Sequence, residues 1–190
     1  KYSEYRDNPY HPLSSKALQA AYPPGSTFKM VTAIAALETG NTNTTERIND
    51  SGPFYGITTG NTKPPACWYY NDYGRGHGPL NVSQAIQKSC NYFFFTVSTR
   101  MGVDNLVKYG QYFGLGSKTG IEITGENRGV LASREVAQEK NEPWSAAQLA
   151  YASIGQGYNN FTPLQIANYI SMLANVGHKL DVSIIKSVNQ

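Results

Sequence analysis

Residues 22–40 read YPPGSTFKMVTAIAALETG. Two prolines and a glycine interrupt the chain before Ser26, which predicts a helix with this serine as its N-cap and a stop near Gly40. The residues that follow Ser26 are apolar on almost every side, apart from Lys29 and Thr32. Such a helix is expected inside a domain, packed on several faces.

Ser26 and Lys29 lie one helical turn apart, so their side chains share a face of this helix. A serine hydroxyl is a weak nucleophile at neutral pH and needs a base within hydrogen-bonding reach. Lys29 stands among apolar residues near the positive end of the helix, and both surroundings favour its neutral form. The pattern predicts that Ser26 accepts an acyl group and that Lys29 is its base. A capping serine followed by an ordinary surface lysine is the alternative interpretation.

The tripeptide Ser89-Cys90-Asn91 lies between two predicted helices. A turn at this point directs Ser89 and Asn91 to one side and Cys90 to the other. Ser89 is then able to relay a proton between Lys29 and a leaving amine, and the Asn91 amide is able to hold a substrate carbonyl. A turn whose polar side chains only satisfy the backbone is the alternative.

The remaining pattern alternates short helical segments with loops rich in Asn, Gly and Pro. Capping residues and apolar periodicity predict helices over residues 81–88, 92–101, 104–113, 144–154 and 162–175. Short strands are predicted around Phe54 to Thr58 and, as a strand or hairpin, over Thr119 to Thr124. The first 22 residues are expected to be irregular. The chain is therefore predicted to be predominantly helical.

The composition allows one ordinary domain, because 40% of the 190 residues are hydrophobic and 12% are aromatic. The net charge is +3 and the 16 Lys and Arg residues are scattered, so nucleic acid is not an expected partner.

No apolar run approaches the roughly 20 residues that span a bilayer, and no leader opens the chain. We interpret the chain as part of a longer protein, with any anchor or export signal upstream.

Several ordered motifs resemble class B penicillin-binding proteins. They are YPPGSTFK at 22–29, Gly76-His77-Gly78 before Ser89-Cys90-Asn91, and SIGQG at 153–157 before TPLQ at 162–165. The resemblance covers the chain from about Asn8 onward. It implies an α+β fold of the serine β-lactamase and penicillin-binding-protein type. Residues 1–190 are then part of a single transpeptidase domain, without its C-terminal strands and its first strands.

The resemblance also implies a function. It indicates a D,D-transpeptidase that cross-links peptidoglycan stem peptides through an acyl-enzyme on Ser26, needs no cofactor for acyl transfer and is acylated by β-lactams. The expected location is the extracytoplasmic face of a bacterial cytoplasmic membrane, with an anchor outside this chain and division or elongation proteins as partners. A serine β-lactamase or β-lactam sensor, which Ser-Thr-Phe-Lys also resembles, and a non-catalytic module of a cell-wall complex are the alternatives.

One motif of the family departs from its usual place. Penicillin-binding proteins carry a Lys-Thr/Ser-Gly strand beyond the segment that corresponds to residues 153–157 here. Lys118-Thr119-Gly120 has these letters but precedes that segment. The resemblance therefore implies that this tripeptide is not the third active-site motif, which is expected beyond Gln190 in the rest of the same protein.

A set of metal-ligating residues lies near the second motif: Cys67, Asp72, His77 and Cys90. Two thiolates, an imidazole and a carboxylate are a suitable tetrahedral set for zinc. A structural zinc here would brace the turn that carries Ser89 and Asn91. A disulfide between the two cysteines, or two unrelated buried thiols, are the alternatives.

Overall fold

The computed structural model describes residues 1–57 and 63–187. Their helices are α1 (Tyr2–Arg6), α2 (Lys29–Glu38), α3 (Trp68–Tyr73), α4 (Val82–Gln87), α5 (Asn91–Tyr112), α6 (Arg134–Glu139), α7 (Ala146–Ser153) and α8 (Pro163–Ala174). Their strands are β1 (Ile48–Asp50) and β2 (Gly78–Leu80). The described chain is predominantly helical, as the sequence predicts.

Helix α2 is buried as predicted, but the chain enters it differently. Val31, Ala35 and other apolar residues of α2 are fully buried. Residues Gly25–Phe28 form a 3₁₀ turn that runs directly into α2. Pro24 already has helical backbone angles, with φ −70° and ψ −20°, so the chain turns before Ser26. Ser26 therefore lies inside the turn and is not a helix N-cap.

Helix α5 is the centre of the core and packs against both α2 and α7. It contributes Phe93, Phe94 and Phe95, each at most 1% exposed. Aromatic side chains bury large apolar areas, so this triplet joins the helices on either side. Gly102 has φ 78° and ψ 169° and interrupts the helix where the sequence predicts one helix to end before the next begins.

A two-stranded antiparallel sheet brings distant segments together at one edge of the core. Strands β1 and β2 pair with Asp50 opposite Gly78. Gly76 allows the close approach, since a Cβ at this position would lie 2.1 Å from the carbonyl oxygen of Asp50. The pairing places His77 beside Asp50. Each strand has only three residues, and neither is predicted from the sequence.

Capping signals predict the starts of two helices correctly. Asn81 and Gln84 form a capping box at α4. Thr162 and Gln165 form another at α8, with a proline in the first turn. In each box the two side chains accept hydrogen bonds from each other's backbone N–H groups. Because this spacing of residue types is typical of helix starts, the sequence predicts where the helix begins.

Three local predictions are wrong. Residues 119–124 form a loop and not a strand or hairpin, because the Thr119 N–H donates to the Glu126 carboxylate instead of a strand partner. Tyr55–Ile57 is a 3₁₀ turn where a strand was expected, and Thr58 lies outside the described residues. The first residues, expected to be irregular, include the one-turn helix α1. Within residues 1–57 and 63–187, no helix has the length and apolar character needed to cross a membrane.

Candidate active site

The two predicted catalytic motifs meet in a chain of hydrogen bonds. The Lys29 ammonium donates to Ser89 Oγ at 2.8 Å, to the Ser89 carbonyl oxygen at 2.8 Å and to Asn91 Oδ1 at 2.6 Å. Ser89 Oγ lies 2.8 Å from Ser26 Oγ and donates to it. Ser26 is exposed, so its hydroxyl is accessible to a substrate. The Ser89 hydroxyl therefore links Ser26 to Lys29.

Lys29 is buried although it carries an ionisable group. It is 2% exposed, and its Nζ lies 5.6 Å from the centre of the Phe94 ring. Burial lowers the pKa of Lys29 from 10.5 to about 8, while the nearby Cys67 and Cys90 act in the opposite direction and raise it. A lysine with this pKa is partly neutral near physiological pH and is able to accept a proton.

Ser89 has a backbone conformation that few residues other than glycine adopt. Its φ is 48°, in the left-handed region, which costs about 1–2 kcal/mol. The N–H groups of Ser89 and Cys90 donate to carbonyl oxygens at the end of α4, and these bonds hold the turn between α4 and α5. The turn directs Ser89 and Asn91 to Lys29 and buries Cys90 on the other side.

The turn that carries Ser26 is fixed by a loop that follows α7. The Gly25 N–H donates to the Gly155 carbonyl oxygen at 2.9 Å. Gly155 has a φ of 73°, and a Cβ at this position would lie 2.2 Å from the carbonyl oxygen of Gly25. Glycine at position 155 is therefore required both by the backbone angle and by the close approach of the two loops.

Two buried hydroxyl groups hold the same region. Tyr169, on α8, donates to the carbonyl oxygen of Thr27 at 2.9 Å. Thr32, on α2, donates to the carbonyl oxygen of Ser153 at 2.7 Å. Both hydroxyl-bearing residues are fully buried. Sequence analysis missed these positioning residues, although it singled out the glycine-rich segment at 153–157 for its resemblance.

A group of potential metal ligands lies behind the Ser89 turn: Asp50, Cys67, His77 and Cys90. One ligand atom from each lies within 4.8 Å of all the others. The two Sγ atoms are 3.9 Å apart and both thiols are free, and Cys67 Sγ lies 3.6 Å from His77 Nδ1. Tetrahedral ligands at the usual zinc bond lengths are separated by roughly 3.3–3.8 Å. The group therefore fits a closed, four-coordinate zinc site.

The charges of this group also favour a cation. The contact with the Cys90 thiol and hydrogen bonds from backbone N–H groups, including that of Asn91, lower the pKa of Cys67. The same pairing, together with burial, raises the pKa of Cys90. A thiolate on Cys67 close to the buried Asp50 carboxyl group concentrates negative charge away from water, and a bound cation would compensate it.

The carboxylate of the metal-ligand group is Asp50, and not Asp72 as the sequence predicts. Asp72 is exposed on α3 and is not in the group. Asp50 Oδ2 lies 2.8 Å from His77 Nδ1 and 3.3 Å from Cys90 Sγ. The sequence does not indicate Asp50, because its proximity to His77 depends on the pairing of β1 with β2, whereas Asp72 is close to Cys67 and His77 along the chain.

Two backbone donors of Lys118-Thr119-Gly120 are engaged within their own loop. The N–H groups of Thr119 and Gly120 donate to the carboxylate of Glu126, at 2.7 Å and 3.3 Å. A third active-site motif supplies a backbone N–H to an oxyanion, and here those donors are already engaged. That this tripeptide is not the third active-site motif stays a prediction.

The connected Ser26, Ser89 and Lys29 have the arrangement of the S-x-x-K and second motifs of serine β-lactamases and penicillin-binding proteins. The family model described as "Penicillin binding protein transpeptidase domain" matches residues 1–190, and the chain belongs to this family. The predicted family and its transpeptidase fold are thereby confirmed.

Individual relatives support the assignment. The peptidoglycan D,D-transpeptidase MrdA of Acinetobacter baumannii is 32% identical over 190 residues, which are 99% of this chain and 27% of that protein. A crystal structure of Pseudomonas aeruginosa PBP2 in complex with WCK 5153 has a TM-score of 0.86 and 32% identity, over 98% of this chain and 41% of that one. PBP2 of Helicobacter pylori, solved in complex with MreC, has a TM-score of 0.83 and 27% identity. The match covers 96% of this chain and 32% of that one. The chain thus spans about a quarter of the length of the MrdA protein.

The contact between Gly155 and Gly25 leads to a prediction with a matched control. Gly155→Ala introduces both backbone strain and the clash with Gly25, so we expect covalent labelling by a fluorescent penicillin to slow by about 100-fold in the full-length protein. Gly40 has a similar φ of 69° but nothing within 4 Å of an added Cβ. Gly40→Ala should therefore cost about 1 kcal/mol of stability and leave the labelling rate unchanged. Equal labelling rates for the two variants would contradict the positioning role of Gly155.

Proposed function

We propose that the protein containing this chain is a serine D,D-transpeptidase that cross-links peptidoglycan stem peptides through an acyl-enzyme on Ser26. The observation that carries the proposal is the hydrogen-bond chain from the exposed Ser26 through Ser89 to the buried Lys29. It supplies a nucleophile, a proton path and a base with a lowered pKa in one connected unit. The curated name of the Acinetobacter relative supports the same activity.

In the first half of the proposed reaction, neutral Lys29 takes the proton of Ser26 by way of the Ser89 hydroxyl. Ser26 Oγ attacks the carbonyl carbon of the penultimate D-alanine, and the N–H of Ser26 donates to the developing oxyanion. The C–N bond of the terminal D-alanine then breaks. Its amine receives the proton from Lys29 through Ser89, and the peptide remains on Ser26 as an ester.

In the second half, an amine of another stem peptide attacks this ester. Lys29 accepts the proton of the attacking amine along the same path and returns it to Ser26 Oγ as the ester bond breaks. The products are a new peptide bond between the two stems and free Ser26, so the enzyme needs no cofactor for acyl transfer. A β-lactam is proposed to follow only the first half, because its opened ring stays attached and no leaving amine departs.

The proposal extends to the setting of the enzyme. We infer that residues 1–190 are the helical part of one transpeptidase domain and that the remaining strands, with a Lys-Thr-Gly motif, lie elsewhere in the same protein. A location at the extracytoplasmic face of the bacterial cytoplasmic membrane, anchored by another segment, suits a peptidoglycan substrate. The complex of Helicobacter pylori PBP2 with MreC supports a partner from the cell-wall machinery.

We also propose that Asp50, Cys67, His77 and Cys90 hold a structural zinc ion. Four protein ligands complete a tetrahedral shell, which leaves no position for a substrate. The ion would neutralise the buried thiolates and fix the turn of Ser89 and Asn91 from behind. This site takes no part in acyl transfer itself, and its effect on the reaction is through the position of Ser89.

The proposed nucleophile is tested by Ser26→Ala. Covalent labelling of the full-length protein by a fluorescent penicillin should disappear, while the melting temperature stays within about 2 °C, because only an exposed hydroxyl is removed. Ser83→Ala, which alters an exposed serine on α4, is the control and should label normally. Labelling that persists in Ser26→Ala would remove Ser26 from its role.

The proposed zinc site is tested by comparing two aspartates. Wild-type protein purified without chelator should contain about one zinc per chain, and Asp50→Ala should lose most of this metal and several degrees of melting temperature. Asp72→Ala should retain wild-type zinc content and stability. Less than about 0.2 zinc per wild-type chain, or an equal effect of the two substitutions, would contradict the proposal.

A further inference from the structure

The two cysteines of the chain, Cys67 and Cys90, form a close pair of sulfur atoms. Their Sγ atoms lie 3.9 Å apart, and both thiols are free. The sulfur atoms of a disulfide are about 2.05 Å apart, so closing this pair shortens the distance between them by roughly 2 Å. The two side chains that are proposed to bind zinc are therefore also close enough to bond to each other after a small movement.

Zinc binding and disulfide formation exclude each other at this pair. A cysteine that binds zinc is a thiolate, and both sulfur atoms lose this charge when they form a disulfide. Asp50 and His77 are then the remaining ligands of the group. Two ligands do not complete the tetrahedral shell of a structural zinc ion. Formation of the disulfide therefore releases the metal.

Cys67 lies beneath a short surface helix. It is buried, but it directly precedes α3, which has six residues and buries none of them. One contact that holds α3 is the hydrogen bond from Trp68 Nε1 to the Lys88 carbonyl oxygen, at 3.2 Å. Short surface elements open locally at a lower cost in free energy than global unfolding. A small oxidant therefore reaches Cys67 when α3 opens, whereas Cys90 lies at the start of the core helix α5.

The second cysteine belongs to the turn that holds the proposed base. Cys90 is flanked by Ser89 and Asn91, which accept hydrogen bonds from Lys29. The backbone N–H of Asn91 also donates to Cys67 Sγ, at 3.3 Å. A bond between the two sulfur atoms therefore displaces the residues on either side of Cys90. A displacement of about 1 Å in a positioning group is enough to slow a reaction by about 100-fold.

We propose that Cys67 and Cys90 are a redox-sensitive pair, which a hydroperoxide oxidises to a disulfide with release of zinc and slower acylation of Ser26. The inference rests on the proposed transpeptidase function and zinc site, because it assigns a means of regulation to both. The reduced pair holds the metal and keeps Ser89 in place. The oxidised pair holds neither, and a dithiol reductant restores the first state.

The oxidation by hydrogen peroxide takes place in two steps. The Cys67 thiolate attacks one peroxide oxygen, so that an S–O bond forms, the O–O bond breaks and hydroxide leaves. The Cys90 thiolate then attacks the sulfur of this sulfenic acid, so that the S–S bond forms, the S–O bond breaks and a second hydroxide leaves. The two sulfur atoms together lose two electrons, which the peroxide gains. Two protons from the solvent convert the two hydroxide ions into water.

The test exposes the zinc-containing full-length protein to hydrogen peroxide and follows three quantities in parallel. Mass spectrometry of unreduced peptides detects the link between Cys67 and Cys90, a chromogenic chelator measures released zinc, and a fluorescent penicillin measures the acylation rate. We expect the link to appear together with release of about one zinc per chain. Labelling should slow by about 100-fold. A dithiol reductant with added zinc should restore the labelling rate.

Cys67→Asp is the matched variant, because a carboxylate is able to bind zinc but unable to form a disulfide. Its zinc content and labelling rate are compared before and after peroxide, so its own untreated values are the reference. Both should change by less than about twofold, since the oxidisable pair is absent. Cys90→Asp makes the same comparison from the other side of the pair if Cys67→Asp does not fold.

The outcomes separate this inference from the proposed function. Failure of peroxide to link Cys67 with Cys90, a link without zinc release, or a link that leaves the labelling rate unchanged would each overturn the redox assignment. An equal loss of labelling in the wild type and in Cys67→Asp would also overturn it, because the damage would then lie elsewhere. If untreated wild-type protein is not labelled by penicillin, the proposed function fails, while the link and the released zinc are still measured.

Discussion

The buried Lys29 ammonium constrains how the segments of the site are arranged. Removing a charged ammonium from water costs several kcal/mol unless its donors are satisfied. Here the three donors are satisfied by two residues of a single distant turn, Ser89 and Asn91. The position of α2 is thereby tied to the connection between α4 and α5. Burial also disfavours the charged form of Lys29. It therefore lowers the pKa of Lys29 and makes the lysine a usable base.

The turn of Ser89 connects this lysine to the proposed zinc site. Cys90 lies between Ser89 and Asn91 in the chain and is buried in the group of metal ligands. The backbone N–H of Asn91 donates to the Cys67 sulfur at 3.3 Å. One short segment therefore contacts Lys29 with two side chains and contributes the third to the proposed zinc site. The strained φ of Ser89 is held by structure on both sides, which is common for residues that serve a reaction.

Local patterns in the sequence were sufficient to point to the proposed catalytic residues and to predict the main helices. Ser26 and Lys29 are related by one helical turn, and the capping boxes of α4 and α8 are complete within four residues. Local sequence patterns do not predict contacts between segments that are distant along the chain. Asp50 reaches His77 only through a three-residue strand, and Gly155 meets Gly25 through tertiary packing. The 3₁₀ turn at Ser26 was missed because the helical conformation of Pro24 depends on how the two loops pack.

The pH dependence of acylation tests whether Lys29 is the base for Ser26. In full-length protein, the rate constant for acylation by a penicillin should rise with pH as Lys29 loses its proton, with a midpoint at about 8. The rate at pH 7 should be about one tenth of the plateau reached at high pH. Lys29→Ala should be slower by about 100-fold and should lack this midpoint. A wild-type rate that is independent of pH between 6 and 10, or a Lys29→Ala variant that keeps the midpoint, would contradict the account.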